Sequence, residues 1–71
     1  MKLNYSYRFS TRLDPDGKWW YFGYYSSRYY GLKVIEDRLK KLNLKTCYVM
    51  VERYAFGCKD DNYYRYFTVE V

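Results

Sequence analysis

The sequence predicts an α+β domain of element order ββαββ, a four-stranded, mainly antiparallel sheet with one helix packed on one face. Three observations carry this expectation. Apolar and polar residues alternate from Lys2 to Ser10, the period of a half-buried strand. A turn sequence, Asp14–Gly17 (DPDG), follows directly. Further on, Leu32, Ile35, Leu39 and Leu42 recur at helical spacing.

The first strand runs from Lys2 to Arg12. Leu3, Tyr5, Tyr7 and Phe9 take one side, and Lys2, Asn4, Ser6, Arg8 and Ser10 take the other. In the DPDG turn, Pro presets φ at the second position and Gly accepts a positive φ at the fourth. That order suits a type I turn closed by a Gly bulge, which pairs Asp14 with Lys18. The return strand is Trp19–Tyr25, inside the segment KWWYFGYY, where both sides of the strand are aromatic.

A helix is expected from Ser26 or Ser27, whose hydroxyls suit the N-cap, to Asn43, which suits a left-handed C-terminal position. Gly31 is its weak point, and the regular part is expected to start near there. Leu44–Phe56 forms the third strand, with Cys47, Val49, Val51 and Ala55 on one side and Tyr48, Met50, Glu52 and Tyr54 on the other. Gly57–Asn62 (GCKDDN) reads as a turn, and Tyr63–Val71 as the fourth strand. Its inner side carries Phe67, Val69 and Val71, and its outer side Tyr64, Tyr66, Thr68 and Glu70.

The 71 residues amount to one domain, 1–71, near the lower size limit for folding alone. Twelve Tyr, four Phe and two Trp exceed what one helix and one small sheet can bury. The net charge is +5, and residues 26–43 hold the largest share, +3. A basic chain attracts polyanions, and a charge of this size is also ordinary for solubility. Cys47 and Cys58 are read as reduced thiols too far apart for a disulfide, which suits a cytoplasmic protein. No apolar run has membrane-spanning length, so no membrane association is expected.

Enzymatic equipment is sparse. There is no His, the acidic residues are scattered, no Gly-rich phosphate loop is present, and neither Cys has a His partner. Tyr21–Gly23 (YFG) followed by Arg28 resembles a fragment of the GIY-YIG nucleases. Tyr5–Tyr7 lacks the Gly of that motif, however, and no later helix offers its Glu. The chain is therefore read as non-catalytic, without metal or cofactor.

A single helix leaves the other side of the sheet open. By parity that side holds Arg8, Arg12, Tyr48, Tyr54, Tyr64 and Tyr66. The hairpin register decides the rest. With the Gly bulge, Trp19, Tyr21 and Tyr25 join the core, and Trp20, Phe22 and Tyr24 join the open face. A shift by one residue exchanges the two sets. Tyr and Trp beside Arg is the composition of binding hot spots. The same rings can also act as cross-strand ladders that only stabilise the sheet. Lys33, Arg38, Lys40 and Lys41 form a second, basic patch on the helix, where Glu36–Lys40, Asp37–Lys41 and Lys33–Asp37 are spaced to pair.

The expected function is that of a small binding protein using its open face against a protein partner. Its size and lack of motifs suggest an inhibitor of the anti-CRISPR type, made by phage or mobile elements against host nucleic-acid machinery. Direct binding of single-stranded DNA or RNA, and a homodimer formed through the aromatic face, are the alternatives.

Overall fold

The computed structural model describes residues 4–71, so the expected strand positions Lys2 and Leu3 lie outside the described residues. The elements are β1 (Tyr5–Arg12), β2 (Trp20–Tyr25), α1 (Arg28–Lys41), β3 (Thr46–Ala55) and β4 (Cys58–Glu70). The predicted ββαββ order is present. The four strands form one sheet in the order β2-β1-β3-β4, with every neighbouring pair antiparallel. β2 and β3 both run against β1 and hence parallel to each other. α1 joins them across β1, and that crossing sets the centre of the core.

The core lies at this crossing. Phe9, Val49 and Val51 from the sheet and Ile35 from the helix are at most 1% exposed. Leu39, Cys47 and Val69 extend the cluster, and Leu32, Phe22 and Tyr25 pack on its margin. The Cα extents are 42 × 23 × 15 Å, and the shortest is the depth of one helix on one sheet. No helix in the described residues is long and apolar enough to cross a membrane.

Gly31 proves to be a packing residue. It is buried inside α1, which begins three residues earlier at Arg28. A Cβ at Gly31 would come within 2.5 Å of Phe9 Cζ and as close to Cε1. The missing side chain lets the helix rest on the Phe9 ring, which outweighs the propensity cost of Gly in a helix. Capping follows expectation. Ser27 Oγ accepts the Tyr30 amide at 3.1 Å. At the other end Asn43 takes φ 57°, while Leu44 N–H donates to Leu39 O at 2.9 Å and Asn43 N–H to Lys40 O at 3.2 Å. Those two bonds are a Schellman motif.

Both hairpins differ from the sequence reading. In the first, the Asp14–Gly17 turn closes with a 2.9 Å bond from Gly17 N–H to Asp14 O. Asp14 Oδ1 also accepts the Asp16 amide at 3.3 Å. Gly17 does not take a positive φ, so no Gly bulge follows, and β2 starts only at Trp20. The irregularity sits deeper, where Phe9 pairs with Gly23 but Ser10 pairs with Tyr21, leaving Phe22 as the extra residue.

In the second hairpin the turn is only Phe56–Gly57, with φ 54° and 78°, and Ala55 pairs with Cys58. Positive φ at both central residues matches the twist of the flanking strands in a two-residue hairpin. Most of the expected GCKDDN turn is therefore strand. A register shift between Glu52 and Tyr54 sets Asp60–Tyr63 against Arg53 alone. Both cysteines are free. They lie on neighbouring strands but at opposite ends of the hairpin, Cys47 beside Val69 and Cys58 beside Ala55. Burial pushes the Cys47 thiol above its ordinary pKa, so it stays protonated.

Candidate functional site: the open aromatic face

Residues facing each other across antiparallel strands share a side of the sheet. Four rows define the side away from α1: Ser6–Tyr54–Lys59, Tyr24–Arg8–Glu52–Tyr64, Tyr21–Ser10–Met50–Tyr66 and Arg12–Tyr48–Thr68. The expected residues Arg8, Arg12, Tyr24, Tyr48, Tyr54, Tyr64 and Tyr66 all lie here.

Trp20 and Phe22 do not. Trp20 pairs with Thr11 on the helix side. With Phe22 it lines a cleft against Ile35, Arg38 and Leu39. Trp19 and Tyr21, expected in the core, face outward instead. Tyr25 keeps its core place, edge-on to Phe9 at 5.8 Å. The physical reason is the bulge at Phe22. An extra residue puts Tyr21 and Tyr24, three positions apart, on the same side with ring centroids 5.7 Å apart. Neither regular register describes such a strand. The signal available in the sequence was Gly23 in mid-strand, a common mark of a bulge.

The face has two clusters. At one end the Arg12 guanidinium lies 4.2 Å from the Trp19 ring centre, 5.6 Å from Tyr66 and 5.9 Å from Tyr48. It donates to Tyr66 Oη at 2.9 Å and to Gly17 O at 3.1 Å. Trp19 meets Tyr66 edge-on at 5.5 Å, and Tyr48 stacks on Tyr66 at 6.5 Å. Arg12 thus fills a cage of three rings and ties it to the DPDG loop.

At the other end Tyr24 contacts Tyr54 edge-on at 5.6 Å, and Arg8 lies 5.2 Å from the Tyr21 ring centre. Arg8 donates to Glu52 Oε1 at 3.1 Å, and Lys59 reaches Glu52 Oε2 at 2.9 Å. Glu52 is only 8% exposed. Burial pushes its carboxyl pKa up, but the hydrogen bonds from Lys59 and Arg8 outweigh this and hold it below the usual range. Burial likewise pushes the Tyr54 hydroxyl up, helped by Tyr24 and Glu52 beside it.

The basic patch on α1 is exposed, but Glu36 and Asp37 form no ion pair with Lys33, Lys40 or Lys41 among the described residues. Holding two long solvated side chains together costs about what the pair returns. Arg38 turns to the Phe22 ring, 5.6 Å away, while Arg38, Lys40 and Lys41 complement the C-terminal end of the helix dipole.

No protein-family model matches the chain, no curated protein matches it, and no solved structure matches it.

Proposed function

We propose that the chain is a small non-catalytic binding protein whose open Tyr/Trp/Arg face docks on a protein partner. One observation supports this above the others. Tyr21, Tyr24, Tyr64 and Tyr66 are 58%, 49%, 53% and 47% exposed on one continuous face, and ring and guanidinium contacts hold Tyr21, Tyr24 and Tyr66 in place. Aromatic side chains fixed before binding lose little entropy when a partner covers them. The charges favour a protein over a nucleic acid on this face. Arg8 is engaged by Glu52 and Arg12 by Tyr66 and its ring cage, so neither guanidinium stands free for phosphate. An inhibitor or adaptor role, of the phage-encoded anti-CRISPR type, suits a chain that offers a prepared surface and little room for chemistry.

The test is co-purification from the host, followed by reconstitution with the identified partner. Tyr24→Ala plus Tyr66→Ala is expected to weaken that complex at least about tenfold, as loss of central aromatic anchors does. Lys33→Ala plus Lys41→Ala on the helix is expected to leave it unchanged. Equal binding by the tyrosine variant overturns the reading. Light scattering that shows a dimer dispersed by the same tyrosine variant replaces the external partner with a second copy.

A further inference from the structure

The side of the sheet that carries α1 holds a second feature, beyond the helix's first turn. Three guanidinium groups surround the Tyr63 ring: Arg65 at 4.4 Å, Arg53 at 4.7 Å and Arg28 at 5.8 Å from its centre. Only Arg53 has an acidic partner, donating from Nε to Asp60 Oδ2 at 3.1 Å and from its NH2 group to the same oxygen. Arg28 and Arg65 make no ion pair among the described residues. Both line a cleft of about 630 Å³ together with Ser26, Ser27, Tyr7 and Phe67, and no acidic residue lines it. Tyr63 itself is 6% exposed, and its hydroxyl is buried without a hydrogen-bond partner.

We propose that this arginine cleft binds the phosphate group of a nucleotide or of a nucleic-acid strand. Neither guanidinium has a carboxylate to balance its charge, although Arg65 donates to the Tyr64 carbonyl at 2.9 Å, and an anion between the two supplies that balance. Guanidinium forks match phosphate oxygens in pairs. The Ser26 hydroxyl adds a further donor. Ser27 Oγ is already taken by the Tyr30 amide. Tyr7, Phe67 and Leu32 line the cleft with apolar surface, against which a base can pack as it does on the aromatic side chains of single-strand binders. Unlike Arg8 on the open face, which is paired with Glu52, neither Arg28 nor Arg65 faces a carboxylate among the described residues.

The experiment is amide and Arg Nε NMR titration of the whole chain at low salt with adenosine 5′-monophosphate, adenosine, and a thymidine oligonucleotide lacking a terminal phosphate. The monophosphate is expected to shift the Arg28, Tyr29 and Arg65 signals saturably, and adenosine is not. Binding by the monophosphate alone assigns the cleft to nucleotides; binding by the oligonucleotide as well assigns it to strand phosphates. Arg28→Gln plus Arg65→Gln is expected to weaken binding by about tenfold or more. Arg65→Lys, which keeps the charge but loses the fork, is expected to fall between. Tyr24→Ala on the open face is expected to bind as wild type, which separates this site from the partner face. Equal shifts with adenosine, wild-type affinity in the Gln variant, or no saturable shift overturns the proposal.

Discussion

Phe9 and Tyr66 lie on opposite faces of one sheet and are held in opposite ways. Phe9 is wholly buried under Gly31, with Ile35 in the same core cluster, and its position depends on shape. Tyr66 is about half exposed and leans on Trp19, Tyr48 and Arg12, so its position depends on ring edges and one cation. The covered face is a close-packed interior in which a single methyl group matters. The open face is a lattice of separate contacts, each worth little and each leaving part of its ring available. A chain this small relies on the first to stay folded, and the second is the surface we propose for docking.

Substitutions centred on Gly31, Glu52 and Tyr24 probe that contrast, with the largest effect expected on the covered face. Gly31→Ala drives a Cβ into the Phe9 ring and is expected to destabilise by about 1–3 kcal/mol despite the better helix propensity of Ala. Urea unfolding measures it. Phe9→Leu in the same chain is expected to recover part of the loss, because the smaller side chain leaves room. If the two losses simply add, the Gly31–Phe9 contact does not govern the packing.

Glu52, with Ser10, is buried on the open face, and it is the charged group there. Glu52→Gln leaves Arg8 and Lys59 without their carboxylate and is expected to cost about 1–2 kcal/mol near neutral pH. The pH dependence has a defined sign. Glu52 and Asp60 both have folded pKa values below their ordinary ones. Their stabilisation is therefore fully present above about pH 4–5, the unfolded carboxyl range, and is lost as pH falls through the lower folded values. Urea midpoints measured across that range should fall on acidification for wild type, less steeply for Glu52→Gln, and least for Glu52→Gln with Asp60→Asn.

The smallest effect is expected at Tyr24. Tyr24→Ala removes ring contacts with Tyr21 and Tyr54 and is expected to lower stability by about 0.5–1.5 kcal/mol. A loss as large as that at Gly31 would mean that the open rings serve mainly as a ladder that holds the sheet together.

Particular residues show how far the sequence reaches. The alternation of Tyr5–Arg12 and the Leu32–Leu42 spacing specify β1 and α1, because periodicity is a local property of the chain. Ser27 and Asn43 cap the helix as their side chains and backbone preferences dictate. Six of the nine expected open-face residues follow from strand parity alone, and Tyr24 reaches that face through the bulge at Phe22. Parity holds wherever a strand is regular. Trp20 and Phe22 were misplaced, and Trp19 and Tyr21 missed, where it is not.

Sequence alone determined the element order, the helix caps and a surplus of aromatic rings that one helix cannot cover. Tertiary structure decided which rings those are, because a bulge forms only when β2 is laid against β1, and one extra residue reverses every side chain beyond it. It also decided the role of Gly31, which depends on a ring more than twenty positions away in the chain. The grouping of Arg28, Arg53 and Arg65 around Tyr63 arises in the same way. No periodicity records it, because the three come from the helix and two strands and meet only when the sheet closes against α1.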